Sequence, residues 1–282
     1  MMQILPLFQD EPFVIEILDV GAALNDAPTY QNMVEAGFAR VTGFEPNQVE
    51  CDRLNEIYGV THRFLPCFVG TGKPAVFHET NWNLTGSLFE PNTELLQVFQ
   101  NLAELTMPVA QHPVDTVSLD ALCMEGKLPD IDYIKIDIQG GELDVFRHAH
   151  RVLGTVLAIQ TEVEFVELYK RQPLFADVDI FLRNNGFQFH TFNGFGSRAF
   201  KPVLVDGDVS KGVRQCLWSD AVYFRDWLQL EALSDIQLKK LATLANEVCQ
   251  SADLAYYYLF ALDKRQGSDL AVRYLKQIFA GA

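Results

Sequence analysis

Carboxylate side chains follow two apolar segments of the kind that form buried strands. Segment 134–142 (IKIDIQGGE) places Asp137 where the apolar run ends and Glu142 where a helix should begin. A second apolar segment, 156–164, carries Glu162 near its end. If the two strands are parallel neighbours, their carboxyl ends meet at one edge of the sheet. Carboxylates there could remove a proton from a bound hydroxyl. We therefore predict three catalytic residues: Asp137, Glu162 and Glu142.

Other interpretations of these acids stay open. Glu142 falls in the first turn of a predicted helix, where the helix dipole favours an acid without any catalytic role. Glu164 lies on the same strand face as Glu162, and clustered oxygens could instead hold a divalent cation. A metal site is nevertheless not predicted. Lys135 shares a side of its strand with Asp137, and we expect a structural ion pair, because a lysine in an apolar strand needs a counter-charge.

The order of predicted elements gives the fold class. Strand and helix patterns alternate from Phe13 onward, which is typical of an α/β protein with a parallel sheet and helices on both faces. We predict a doubly wound, mostly parallel, Rossmann-like sheet over residues 1–227. Within it the alternation is lost over 70–113, which is predicted to be an insertion or a lid. Residues 228–282 show only helical spacing and are predicted to form a C-terminal all-helical appendage.

Three predicted elements within the first 227 residues depend on short patterns. Residues 61–69 are predicted to form one strand, the third of the sheet, and residues 93–105 one helix. The strand that closes the sheet is expected at 220–224.

The turn after the first predicted strand indicates the class of cofactor. It contains a single glycine, Gly21, whereas a dinucleotide fingerprint needs three to let the backbone approach a pyrophosphate. At the end of the second strand, the Glu45 carboxylate could bond a ribose diol. A ribose-bearing cofactor without a pyrophosphate satisfies both observations, and S-adenosylmethionine is the common one. The predicted cofactor-binding residues are Asp19, Gly21, Ala22, Glu45 and Pro46.

Each of these residues also has a purely structural interpretation. Glu45 could be an exposed carboxylate at a strand end. Asp19 could brace the following turn by accepting backbone N–H groups, and Gly21 could be a plain turn glycine.

Four motifs, taken in order, resemble those of the FkbM-type S-adenosylmethionine-dependent methyltransferases. They are Asp19-Val-Gly-Ala22, Phe44-Glu-Pro46, Ser118-Leu-Asp-Ala-Leu122 and the segment 134–142. The block around Asp137 is the most family-specific part, and the resemblance extends from about Phe13 to about Phe224. It implies a class I methyltransferase fold. It also implies, as is usual in the family, methylation of a hydroxyl oxygen on a sugar, a natural product or a related small molecule.

We therefore expect an enzyme, an S-adenosylmethionine-dependent methyltransferase that methylates a hydroxyl of a saccharide or other small-molecule acceptor. Two other classes stay open. Ala23 and Asn25 stand where family members usually have asparagine and glycine, which would fit a binding or scaffold protein that kept the fold and lost catalysis. A nicotinamide oxidoreductase would bind NAD instead.

Composition restricts the partners. The formal net charge is -15, which repels polyanions, so nucleic acid is not an expected partner. No apolar run approaches the ~20 residues of a membrane span, and the N-terminus has no basic start, so we expect a cytoplasmic protein without membrane contact. The five cysteines never occur at a paired short spacing, which favours neither a disulfide framework nor a zinc site. The helices after Trp227 could provide a homo-oligomer contact.

Overall fold

The computed structural model describes residues 4–21 and 28–280. The strands are β1 (Ile15–Val20), β2 (Ala39–Phe44), β3 (His62–Leu65), β4 (Phe68–Val69), β5 (Pro74–Thr80), β6 (Pro108–Val117), β7 (Tyr133–Ile136), β8 (Ala158–Glu164), β9 (Phe187–Ser197) and β10 (Cys216–Arg225). The α-helices are α1 (Gln31–Glu35), α2 (Gln48–Tyr58), α3 (Thr93–Leu96), α4 (Leu102–Leu105), α5 (Leu119–Met124), α6 (Glu142–Arg147), α7 (His150–Leu153), α8 (Phe175–Asn184), α9 (Asp235–Cys249), α10 (Ala252–Gln266) and α11 (Leu270–Ala280). Short 3₁₀ helices cover Leu5–Phe8, Asn83–Thr85 and Trp227–Ala232.

A mostly parallel sheet forms the centre of the protein. Across the described residues its seven strands lie in the order β3-β2-β1-β7-β8-β10-β9. All neighbouring strands are parallel except β10, which runs antiparallel to both β8 and β9. The predicted doubly wound α/β fold is confirmed, and the closing strand expected at 220–224 is the central part of β10.

Alternation along each strand sends side chains to two apolar layers. In β1, Ile15 and Ile17 face one layer while Leu18 and Val20 face the other. Helix α1 and helices α9 to α11 cover the first layer. Helices α5 to α8 cover the second. The expectation of helices on both faces is therefore confirmed.

The helices after Trp227 complete the core under one face of the sheet. Leu241 and Leu244 of α9 are fully buried and belong to the same apolar cluster as Tyr133 of β7. Lys240 Nζ lies 2.6 Å from Asp132 Oδ2, and both side chains are largely buried. The helical content predicted for 228–282 is confirmed. The division of the chain at residue 227 stays a prediction, and the shared core argues against an appendage that folds by itself.

The segment 70–113 is built mainly around a small second sheet, with strand order β4-β6-β5. The single strand predicted over 61–69 is wrong: β3 pairs with β2 in the main sheet, whereas β4 pairs with β6. Pro66 lies at the break and has no N–H group to continue the ladder. The single helix predicted over 93–105 is also wrong, because Asn101 has φ 60° and separates α3 from α4.

Among the described residues, no helix combines the length and the apolar character that crossing a bilayer requires.

Candidate active site

The polar residues of the candidate site lie where the chain reverses direction across the sheet. The chain leaves β1 toward β2 and β3 on one side, and β7 is followed by β8 on the other. Ligands of open α/β sheets bind at such switch points, at the carboxyl ends of the strands. Here Gly21 (φ 88°) follows β1, and a Cβ built on it would lie 1.8 Å from the Asp137 carbonyl oxygen. Only glycine fits where these two turns cross.

Asp19 lies at this switch point, and one of its two carboxylate oxygens lacks a hydrogen-bond partner among the described residues. Its side chain is buried, and Oδ2 accepts a hydrogen bond from the Tyr30 hydroxyl. Oδ1 is buried without a hydrogen-bond partner in the part of the chain that the structure describes, and Lys135 Nζ lies 3.7 Å away. The ion pair expected for Lys135 is therefore present, with Asp19 as its partner. Burial raises the pKa of the Asp19 carboxyl, and the Lys135 ammonium acts in the opposite direction.

Glu45 and Pro46 follow β2, as the sequence indicated. Glu45 is half-buried, and its Oε1 accepts the Asn47 N–H at 2.7 Å, which fixes the turn into α2. Pro46 is exposed. Asp19 and Glu45 thus stand at the ends of neighbouring parallel strands, where a nucleoside could contact both carboxylates. Their cofactor-binding role stays a prediction. Ala22, with Ala23 and Asn25, lies outside the described residues.

The three predicted catalytic acids come together at the ends of β7 and β8. One carboxylate oxygen each from Asp137, Glu142 and Glu162 lies within 4.8 Å of the others. Glu164, on the same face of β8, is buried beside them. The parallel pairing of β7 with β8 produces this arrangement, because it aligns the carboxyl ends of the two strands.

Glu142 has a structural role within this cluster. Its side chain is 2% exposed, and Oε1 accepts the backbone N–H groups of Ile138 at 2.8 Å and of Gly140 at 3.2 Å. These two bonds hold the turn that carries Asp137. Burial, as the largest cause, raises the pKa of Glu142 to about 7.

The other two glutamates of the cluster also favour their protonated forms. Burial raises the pKa of Glu162, and the neighbouring carboxylates of Asp137 and Glu164 add to this effect. Burial likewise raises the pKa of Glu164, followed by the carboxylates of Glu142 and Asp137. The raised pKa values of Glu142, Glu162 and Glu164 therefore lower the negative charge of this part of the site.

Gln139 and Tyr169 belong to the site, although sequence analysis did not identify them. Gln139 Nε2 donates to Asp137 Oδ1 at 2.9 Å and to Glu162 Oε2 at 2.7 Å. The Tyr169 hydroxyl lies 2.9 Å from Gln139 Oε1 and is buried. Gln139 stands between two predicted catalytic residues in the 134–142 motif, and that position was a usable signal. Tyr169 has no comparable signal, because only the tertiary fold brings it to this turn.

Oxygens as close as those of Asp137, Glu142 and Glu162 could also surround a divalent cation. Here, however, the N–H groups of Ile138, Gly140 and Gln139 already donate to them. We do not assign these acids as metal ligands.

Comparisons with known proteins point to a single family. The family model described as "Methyltransferase FkbM domain" matches residues 19–189. The chain is also similar to the 2-O-methyltransferase NoeI of Sinorhizobium fredii (strain NBRC 101917 / NGR234). The two are 30% identical over 176 residues, which are 58% of this chain and 70% of that protein.

Several solved methyltransferase structures are distantly similar. TrmK of M. capricolum, in complex with S-adenosyl-homocysteine, matches over 99% of this chain and all of that chain (100%), with 8% identity and a TM-score of 0.37. The precorrin-6y C5,15-methyltransferase of Geobacter metallireducens GS-15 matches over 79% of this chain and 86% of its own, with 11% identity and a TM-score of 0.36. Likeness at this level says nothing about the reaction of this chain.

Proposed function

Because the chain belongs to the FkbM methyltransferase family, we propose that it transfers a methyl group from S-adenosylmethionine to a hydroxyl oxygen of a saccharide or another small-molecule acceptor. The observation that carries this proposal is the cluster of Asp137, Glu142 and Glu162 beside the switch point. A hydroxyl that attacks a methyl group must lose its proton, and a carboxylate held at the reacting edge of the sheet can accept it.

The residues at the ends of β1 and β2 fit the cofactor. The buried Asp19 Oδ1 lacks a hydrogen-bond partner among the described residues, which suits a polar group of the methionine part. Glu45 would hold the ribose hydroxyls, and Gly21 and Pro46 would line the same crevice. S-adenosylmethionine supplies a methyl group activated by its sulfonium.

Among the acids, Asp137 is our candidate for the general base, and it is expected to take the acceptor's proton. Glu162 is assigned to the acceptor side as a proton-sharing partner, because burial, followed by the neighbouring carboxylates, raises its pKa and favours its neutral form. Glu142 supports the turn and contributes to the shared charge. The choice of a hydroxyl oxygen as the acceptor is supported by the similarity to a 2-O-methyltransferase.

Two measurements in sequence test the proposal. Isothermal titration calorimetry with S-adenosylhomocysteine should show saturable binding, and NAD should give no heat. The absence of binding by S-adenosylhomocysteine would favour a scaffold protein, whereas heat with NAD would favour the oxidoreductase. A panel of methyl glycosides is then incubated with methyl-labelled S-adenosylmethionine, and label should appear on a hydroxyl oxygen. Binding of S-adenosylhomocysteine without any labelled glycoside would refute the saccharide acceptor.

A further inference from the structure

The Gln139 carboxamide fills the gap between two acids of the cluster. Its two N–H groups point to Asp137 Oδ1 at 2.9 Å and Glu162 Oε2 at 2.7 Å. The amide oxygen accepts from the Tyr169 hydroxyl at 2.9 Å. In this orientation of the amide, its N–H groups donate to carboxylate oxygens and its oxygen accepts from the hydroxyl. The carboxamide thus supplies two donors without adding a charge.

The backbone of Gln139 is hydrogen-bonded to segment 83–89. Its carbonyl accepts from Ser87 Oγ at 2.7 Å, and Ser87 Oγ in turn accepts the Phe89 N–H at 2.9 Å. The Tyr169 hydroxyl also lies 2.9 Å from the Thr85 carbonyl. Segment 83–89 therefore lies against the turn that presents Asp137.

Gln139 adopts a backbone conformation that costs energy. Its φ is 61°, in the left-handed region that side chains other than glycine and asparagine rarely occupy. A residue stays there only when its surroundings hold it, and such positions concentrate at functional sites. The contacts to Asp137, Glu162, Tyr169 and Ser87 are those surroundings.

The charged groups around this amide are almost all acidic. Among the described residues that interact with the cluster, the only cation is Lys135 on β7. It pairs with Asp19. The titratable groups that face the Asp137–Glu162 pair from the surrounding elements are Glu142, Glu164, Asp19, Asp220, Lys135 and Tyr169. A neutral double donor at position 139 therefore holds two acids together where a carboxylate would repel both.

We propose that Gln139 is a positioning residue of the reaction: it clamps Asp137 and Glu162 as one pair and, through Tyr169 and Ser87, locks segment 83–89 over that pair. This inference rests on the proposed function, since it presents Asp137 as the group that receives the acceptor's proton. The lock places 83–89 beside the acceptor, so this segment helps to determine which hydroxyl reaches Asp137.

The clamp is tested by replacing Gln139 with its acidic isostere. In Gln139→Glu the shape is kept, and at about pH 4, below the ordinary glutamate pKa of about 4.3, the added carboxyl is mostly protonated and still donates one hydrogen bond. At about pH 8 its ionisation meets the surrounding acids. The melting temperature of the unliganded protein should therefore match wild type at the lower pH and fall about 3 °C or more below it at the higher pH. The control Gln97→Glu adds the same charge at an exposed position and should show no such divergence.

If the side chain at position 139 did not bridge Asp137 and Glu162, the added carboxylate would not meet these acids. The melting temperature of Gln139→Glu would then fall equally at both pH values, and that outcome would overturn the clamp. Tyr169→Phe tests the lock separately, because it removes the hydroxyl that contacts Thr85 and Gln139. Amide hydrogen exchange at Thr85, Ser87 and Phe89 should accelerate about tenfold while exchange in β6 stays unchanged. Unchanged exchange at these amides would refute the lock.

These readouts need no cofactor and no acceptor. Failure of S-adenosylhomocysteine binding would therefore count against the proposed function alone. Parallel melting curves or unchanged exchange would count against the role of Gln139 alone.

Discussion

Glu142 accepts the backbone N–H of Ile138 through Oε1 at 2.8 Å, four residues back along the chain. The same oxygen accepts the N–H of Gly140 at 3.2 Å. An acid predicted from its sequence position to do chemistry thus also builds the turn from which Asp137 projects.

Substitutions at Glu142 should measure how much its two hydrogen bonds contribute to stability. Glu142→Ala leaves two buried N–H groups unpaired and should lower the free energy of unfolding by about 2–4 kcal/mol. Glu142→Gln keeps the accepting oxygen and should cost less. Urea denaturation measures both variants. Equal losses in the two would show that the hydrogen bonds to Ile138 and Gly140 contribute nothing.

The pH dependence of stability should also change in Glu142→Gln. Burial raises the folded-state pKa of Glu142 from 4.5 to about 7, so the folded protein binds this proton more tightly than the unfolded chain. Its stabilising effect is fully present below about pH 4.5 and is lost as the pH rises toward about 7. Glu142→Gln carries no titrating group, and its unfolding free energy should fall less over this interval. An unchanged slope would contradict the raised pKa.

Glu45→Ala tests the ribose assignment. The loss of a hydrogen bond to a charged group is worth about 1.5–3 kcal/mol, so the Kd for S-adenosylhomocysteine should rise about 10- to 100-fold. Calorimetry measures it, with the exposed Glu56→Ala as a control that removes the same charge from α2. Equal affinities of Glu45→Ala and wild type would show that Glu45 serves only the Asn47 turn.

The sequence was sufficient to place the acids because parallel strands impose their geometry. Asp137 and Glu162 are far apart in the chain, yet the pairing of β7 with β8 aligns their strand ends. Two element errors came from turn chemistry. Pro66 lies at the break between β3 and β4 and was visible in the sequence, whereas the left-handed conformation of Asn101 was not.

Other parts of the site depend on long-range packing and could not be read from local patterns. Tyr169 reaches Gln139 only after the chain has passed through β8. The helical spacing after Trp227 predicted α9 correctly, but spacing does not specify the surface on which a helix packs. That surface proved to be the first layer of the sheet.

Asp137→Asn should separate chemistry from binding. The amide keeps the size of the carboxylate but cannot accept the hydroxyl proton, so kcat should fall about 10²- to 10⁴-fold with the glycoside that wild type methylates best. The Kd for S-adenosylhomocysteine should stay within about threefold. The exposed Asp115→Asn is the matched control and should keep wild-type kcat. Full activity in Asp137→Asn would require another base.

The helices after Trp227 should contribute to the stability of the whole protein. Leu244 of α9 is fully buried in the cluster that includes β1 and β7, so Leu244→Ala should lower the free energy of unfolding by about 2–5 kcal/mol. Ile236 lies on the same helix but is 44% exposed, and Ile236→Ala should cost less than about 1 kcal/mol.

The way Leu244→Ala unfolds distinguishes one folding unit from two. Urea unfolding is followed by far-ultraviolet circular dichroism, which detects the helices, and by tryptophan fluorescence, which includes Trp218 in β10. Because α9 and the sheet share one core, both signals should shift together to lower urea in a single transition. A circular dichroism transition that moves while the fluorescence transition stays in place would mean that 228–282 is a separate domain, as the spacing alone first indicated.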